Sequence, residues 1–360
     1  MSALYGLKQA LRAWFHRFPA FLLNIGFKSS HSDHSMFIKH SSVGILILLL
    51  YVDDIIITGS DTVGLQNLFP TLQQEFSMTY LRDLHYFLGL EATGTKDGLV
   101  LTQNRYTLDL SKRIDLTDWK PVSAPVSPRS KLSSNDVDLF PDITLYRSLV
   151  GGLQYLNMTR PDITYTVNQV SQFMHRPIQY HFLDVKHILR YLKGTLSHGI
   201  SFWRNNPMQL TTFSDADWGG DPDTSRSTTG HCIFLGKNLI SWGSKKQPTV
   251  YTRSTEAEYR ALSSTSAELT WFRYLLHDLG SYLKQPPILY CDNISATYSR
   301  SKHIQIHYHF VRERISSVHL QLCYIATTHQ LADLVTKGLS NARFRFLYGK
   351  LSCCLPPCTY

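Results

Sequence analysis

The chain has 360 residues, 43% hydrophobic and 18% charged, which excludes a disordered tail and allows two or three domains with real cores. Its formal net charge of +9 favours a polyanionic partner through phosphate neutralisation and counterion release, although charge alone does not establish one. Six cysteines, Cys232, Cys291, Cys323, Cys353, Cys354 and Cys358, lack metal-site spacing and disulfide-scaffold density, so free thiols in a reducing compartment are expected. The cluster Cys353, Cys354, Cys358 is a weak metal candidate in a short Pro-containing tail. The most apolar run, Ile45 to Ile57, is too short to span a bilayer and carries two aspartates. No signal peptide is visible at the start, and a soluble intracellular protein with no membrane partner is expected.

Residues 1–30 read as a helix, because Leu7, Ala10, Leu11, Trp14, Phe15, Phe18, Phe21 and Leu22 recur at helical spacing. Val43 to Leu50 and Ile55 to Thr58 are apolar, β-branched runs on either side of Asp53-Asp54. They predict a strand–turn–strand with carboxylates at its tip. A helix follows from about Val63 to Phe76. Residues 95–140 read as hairpins and loops, and Lys120 to Pro128 is the most linker-like stretch. From Asp142 to Gly194 the pattern is helical, broken at Arg160-Pro161 and Arg176-Pro177. Within it Val185 to Lys193 is a basic amphipathic helix, read equally well as a solvated face or as a nucleic-acid contact. After about Met208 come strands, a long helix, a buried strand, a short helix and a last helix, a mixed α/β layout.

Four carboxylates in this last part stand at the ends of predicted elements. Asp215 lies in Phe213-Ser214-Asp215-Ala216-Asp217-Trp218, Glu258 opens the long helix, Asp292 ends the strand Ile288 to Cys291, and Asp333 follows in His329-Gln330-Leu331-Ala332-Asp333. Clustered carboxylates do not stay ionised together without cations, and paired divalent ions are what phosphodiester cleavage uses. On the helix, Glu258 shares a stripe with Leu262, Leu269, Phe272 and Leu276, which places a carboxylate on the buried side. A capping box, Thr255-x-x-Glu258, accounts for it equally well. Glu256 falls on the opposite face, four residues before Arg260, and is expected to form a solvated i,i+4 pair.

These motifs, in this order, resemble a copia-type retrotransposon Pol. Ser214 to Asp221, Ser227-Thr228-Thr229-Gly230, Ile240-Ser241-Trp242, Lys245-Lys246-Gln247, Ser254 to Tyr259, Tyr290-Cys291-Asp292-Asn293, Lys302-His303-Ile304 and Gln330 to Asp333 are similar to its ribonuclease H domain. Leu4 to Ala10, Arg12-Ala13-Trp14, Tyr51-Val52-Asp53-Asp54 and Leu84 to Gly89 are similar to its reverse transcriptase. Tyr146 to Gly151 and Thr159-Arg160-Pro161-Asp162 are similar to the joining segment. The resemblance covers roughly residues 3–340.

The resemblance implies a multi-domain α/β chain: a partial reverse transcriptase palm (1–95), a helical thumb/connection region (96–205), a ribonuclease H-like mixed sheet flanked by helices (206–340) and a tail (341–360). It implies that Asp215, Glu258, Asp292 and Asp333 hold two Mg²⁺ (or Mn²⁺) ions and cleave the RNA strand of an RNA–DNA hybrid. It further implies that Asp53 and Asp54 are polymerase metal ligands, that Gln9 lies near the incoming nucleotide and that Tyr86 to Gly89 form the primer grip. Three departures stand out. The chain opens at Met1 inside the family's Leu-Tyr-Gly-Leu-Lys-Gln motif, so the fingers and the palm strand with the third polymerase carboxylate are expected to be missing, and polymerisation by this chain alone is not expected. Leu11 replaces the usual proline, and the stretch between Thr297 and Arg300 is short by roughly two helical turns. A catalytically silent remnant that at most binds nucleic acid is the rival reading. A zinc hydrolase using His303, His307 and His309 is a poorer one, because no general base neighbours the His303/His307 pair.

Overall fold

In the computed structural model the described residues are 8–114, 119–127, 138–293, 295 and 305–351. Several sequence expectations fall outside them or on side chains that are not described: Gln9, Leu11, the stretch from Thr297 to Arg300, His303, Cys353, Cys354 and Cys358. Contacts divide the chain into two compact units, one comprising 1–84 with 270–282 and the other 85–269 with 283–360.

In the first unit, helix α1 (Lys8–Asn24) precedes strands β1 (Lys28–Ser29), β2 (Met36–His40), β3 (Ile45–Tyr51) and β4 (Asp54–Gly59), and helix α2 (Thr62–Glu75) follows. The strands form an antiparallel sheet in chain order. Alternation along β3 buries Leu46, Leu48 and Leu50 against Phe18 and Leu22 of α1 and Leu68 and Leu72 of α2. The strand–turn–strand read from the sequence is present. Tyr51 pairs with Asp54 across the turn, Val52 takes φ +52°, and Asp53 and Asp54 are exposed at the tip. Asp278 closes the unit by accepting hydrogen bonds from the Ser30 hydroxyl at 2.6 Å and from the backbone N–H groups of His31 and Ser32.

The second unit opens with strands β5 (Tyr86–Phe87), β6 (Leu90–Gly94) and β7 (Gly98–Thr102), which pair antiparallel with the later β8 (Ile200–Trp203). Between β7 and β8 lie helices α3 (Asn104–Lys112), α4 (Ile143–Leu156), α5 (Thr164–Ser171) and α6 (Gln179–Gly194). Helix α3 falls where the sequence suggested only hairpins and loops; it forms because Thr107, Leu110 and Ser111 share a buried face. The helical reading of 142–194 holds, with breaks at the two prolines. Its core gathers Tyr146, Leu149 and Leu153 of α4, Val167 of α5, and Val185, Ile188 and Leu192 of α6. The basic side of α6 is not purely solvated. Lys186 lies over the rings of Phe182 and Trp119 at 4.6 and 5.0 Å, and Arg190 and Lys193 donate to the carbonyls of Lys120 and Trp119. The stretch that reads as a linker is thus held on the helix by its cations.

A five-stranded mixed sheet follows, in the order β11-β10-β9-β12-β13. Its strands are β9 (Leu210–Asp217), β10 (Thr228–Leu235), β11 (Asn238–Lys246), β12 (Ile288–Cys291) and β13 (Gln321–Tyr324). The long helix α7 (Ser254–Asp278) and α8 (Gln305–Ser316) connect them, and α9 (Asp333–Thr336) and α10 (Asn341–Tyr348) end the described chain. The first three strands are antiparallel, whereas β12 runs parallel to both β9 and β13. Parallel neighbours end on the same sheet edge, and that edge is where side chains from several elements converge. Among the described residues, no helix is long and apolar enough to cross a membrane.

Candidate metal centre

Register brings the first two acids together. Phe213 of β9 pairs with Tyr290 of β12; continuing two residues along both parallel strands sets Asp215 beside Asp292. Helix α7 supplies Glu258, whose Oε1 accepts from the Ala216 backbone N–H at 3.4 Å and whose Oε2 faces Cys291 Sγ at 3.8 Å. The helix begins at Ser254, so Thr255 lies inside it and the capping-box alternative gives way to Glu258 facing the sheet. One oxygen of Glu258, one of Asp292 and the sulfur of Cys291 all lie within 4.8 Å of one another.

Asp333 arrives with α9. Lys337 follows it by one helical turn and donates to Asp333 Oδ1 at 2.9 Å and to Asp215 Oδ1 at 3.1 Å. The remaining oxygens of both acids are also occupied: the Thr336 hydroxyl donates to Asp215 Oδ2, and Arg343 donates to Asp333 Oδ2 at 3.3 Å. Gly230 makes this docking possible. It lies opposite Asp215 on β10, and a Cβ there would sit 2.4 Å from Thr336 Cγ2 and 2.7 Å from Val335 Cγ2. Gln330 braces the same corner, donating to the Ser214 carbonyl at 3.0 Å and to Asp292 Oδ1 at 3.4 Å. Thr327 gives Asp292 its other hydrogen bond at 2.8 Å.

Electrostatics follow from this crowding. Burial pushes the Asp215 carboxyl up; Lys337 and Thr336 pull it back, Asp333 and Asp292 push again, and it settles at about 6. Glu258 is held well above the usual carboxylate range by burial and then by Asp215 and Asp292. Cys291 is likewise pushed up by burial and by Glu258, so it stays a thiol that faces its neighbours as a weak donor. Burial opposes the charge on Lys337, but Asp215 and Asp333 raise its pKa well above the usual lysine value. Carboxylates in surplus over cations are a donor set suited to a hard divalent ion with oxygen ligands.

The structure therefore brings Asp215, Glu258, Asp292 and Asp333 to one sheet edge. Asp53 and Asp54 stand in the other unit, at their hairpin tip. One expectation fails. Glu256 is not on a solvated face: it is 4% exposed and accepts from the Thr252 hydroxyl at 3.2 Å, while Arg260 lies against His307. The first turn of α7 is buried on more than one side, as shown by Ala257, Glu258 and Tyr259, so a single apolar stripe misjudges it. His307 bonds to Ser263 as well as Arg260, and His309 is exposed, an arrangement that gives the zinc reading no support. Lys337, Thr336, Arg343 and Gln330 escaped the sequence reading. For Lys337 a signal existed in its spacing of four from Asp333.

The family described as reverse transcriptase (RNA-dependent DNA polymerase) matches residues 1–128. A retrovirus-related Pol polyprotein from transposon RE2 of Arabidopsis thaliana is 47% identical over 352 residues, covering 96% of this chain and 24% of its own length. A putative transposon Ty5-1 protein of Saccharomyces cerevisiae is 30% identical over 271 residues, covering 74% of this chain and 88% of its own. The chain belongs to the copia-type retrotransposon Pol family. It spans about a quarter of the length of the Arabidopsis Pol polyprotein it matches. A foamy viral protease-reverse transcriptase solved in complex with an RNA/DNA hybrid aligns at 16% identity and a TM-score of 0.44, over 81% of this chain and 37% of that one.

Proposed function

We propose that the edge of the five-stranded sheet is a metal-dependent ribonuclease H site that cleaves the RNA strand of RNA–DNA hybrids. The observation that carries this reading is the gathering of four acids, from β9, α7, the end of β12 and α9, with Glu258 and Asp292 side by side and Asp215 and Asp333 bridged by Lys337. Asp215, Glu258, Asp292 and Asp333 would hold two Mg²⁺ or Mn²⁺ ions, which when bound activate water and stabilise the leaving 3′ oxygen. The chain's own part is to fix that geometry. The parallel strands set Asp215 and Asp292 side by side, the Ala216 N–H orients Glu258, and Gln330 and Thr327 orient Asp292. The raised pKa values of Asp215 and Glu258 mark a site that favours added positive charge. Substrate binding would rest on backbone charge, groove shape and 2′-hydroxyls, in keeping with the basic chain. In the first unit, Asp53 and Asp54 are our proposed palm metal ligands, and in the second Tyr86 to Gly89 are the proposed primer grip.

The test is cleavage of a labelled RNA–DNA hybrid by the purified chain with and without Mg²⁺. Asp215→Asn and Glu258→Gln are each expected to lose about a hundredfold or more, whereas Asp53→Asn and the exposed Glu268→Gln are expected to cleave like the parent. No Mg²⁺-dependent cleavage by the parent chain would favour the silent-remnant reading instead.

A further inference from the structure

The acid centre is not symmetric. In one half, Asp215 and Asp333 are held by cations: one ammonium group spans them, 3.1 and 2.9 Å from its two partners, and Arg343 reaches Asp333 at 3.3 Å. In the other half, Glu258 and Asp292 face each other across Cys291 with no cationic side chain bonded to either among the described residues. Lys337 is about one third exposed, so its four-carbon stem has room to withdraw to solvent, whereas Arg343 is anchored on the carbonyls of Thr327 and Thr328. A compact, strongly hydrated ammonium on a flexible stem is the kind of cation that can be exchanged for another.

Building on the ribonuclease H reading, we infer that Lys337 is a built-in counter-cation that fills the Asp215–Asp333 half of the centre, so that a first divalent ion enters the Glu258–Asp292 half and a second binds only by displacing the ammonium group. Lys337 is then a positioning residue that sets the gap between two metal affinities. The two events should differ because the first adds a cation to a surplus of negative charge, while the second must separate an ion pair shielded from water on the Asp215 side.

The experiment is Mn²⁺ binding to the full chain at neutral pH, followed by calorimetry and by the paramagnetic resonance signal of free Mn²⁺, on the parent and on Lys337→Met and Lys337→Arg. The parent is expected to bind two ions in separated steps. Lys337→Met should tighten the weaker step by about tenfold or more while changing the tighter step less, and Lys337→Arg should keep the weaker step weak. If Lys337→Met leaves the weaker step unchanged or loosens it, the counter-cation role is overturned while the metal site stands. If the parent binds no Mn²⁺, the ribonuclease H reading falls and this inference with it. Should Lys337→Met fail to fold, Lys337→Gln decides by the same comparison.

Discussion

Asp162 and Asp215 are both buried carboxylates of the second unit, at 2% and 1% exposure, yet their surroundings drive them in opposite directions. Asp162 faces a single cation in fork geometry: Arg160 Nε and Nη2 donate to its two oxygens at 3.0 and 2.7 Å, and Tyr191 adds its hydroxyl at 2.6 Å. Arg160 also donates to the carbonyl and hydroxyl of Thr195. Burial works against the Asp162 charge, but Arg160 and the hydrogen bonds bring its pKa below the ordinary value. Asp215 instead shares Lys337 with Asp333 and lies near Asp292 and Glu258, four carboxyls against Lys337 and Arg343. Depth of burial is the same; the balance of charge is not. The matched pair makes a joint in the fold, and it gives Thr159-Arg160-Pro161-Asp162 a structural purpose. The surplus makes a site.

The sharpest way to break this contrast is to unmatch the matched pair. Arg160→Met leaves the Asp162 charge buried with only Tyr191 to face it. It should therefore destabilise the chain by roughly 3–5 kcal/mol, read as a lower denaturant midpoint at unchanged slope. A loss below about 1 kcal/mol would mean that the pair is replaceable and that charge balance does not separate joint from site.

A second substitution disturbs the surplus without touching any charge. Gly230→Ala would push on Thr336 and Val335 and shift α9, which carries Asp333 and leads into Lys337. It should cost about 1–3 kcal/mol as an overpacking change. If the reading of the site holds, hybrid cleavage should fall while the Arg160–Asp162 joint is unaffected. Wild-type stability in Gly230→Ala would show that α9 can move aside and that its docking is not what holds Asp333 in place.

How far the sequence foretold this differs from residue to residue. Asp215 and Asp292 were legible only as members of an ordered set of acids near element ends, since each alone reads as a turn residue. The hairpin at Asp53-Asp54 was legible because its flanking runs are β-branched and apolar. Glu258 was half legible: helical periodicity put it on the buried side, but only the contact with Ala216 chose between sheet and cap. Glu256 was misread, because helical periodicity reports one packed face and the start of α7 has more than one. Helix α3 was missed because its buried face includes Thr107 and Ser111, which carry no apolar signal. Lys337 went unremarked, since a lysine after a short helix is ordinary and its reach across to β9 is a tertiary fact. The same holds for Lys120 to Pro128, whose prolines suggest a linker, while the carbonyls of Trp119 and Lys120 at its start receive cations of α6.

The smallest expected effect is the most direct reading of the surplus. For Asp215 the folded value of about 6 lies above the ordinary 3.8, so between these limits the folded chain keeps a proton that the unfolded chain has released. Stability is then lost as pH rises from about 4 to about 6 and is level above that, and Glu258, also raised, acts in the same sense. Asp162 has the opposite sign: its contribution is present above 3.8 and fades as pH falls through its lower folded value. In metal-free buffer, Asp215→Asn should remove part of the decline between pH 4 and 6, a difference on the order of 1–2 kcal/mol between the two ends of the window. The measurement is denaturant unfolding of parent and variant at both pH values, so that groups common to the two chains cancel in the difference. Saturating Mn²⁺ should flatten the parent in the same way, because a cation bound at the acids removes the reason for Asp215 to hold its proton. If Asp215→Asn steepened the decline instead, Lys337 and Thr336 would be compensating Asp215 fully, and it would belong with Asp162 among the joints.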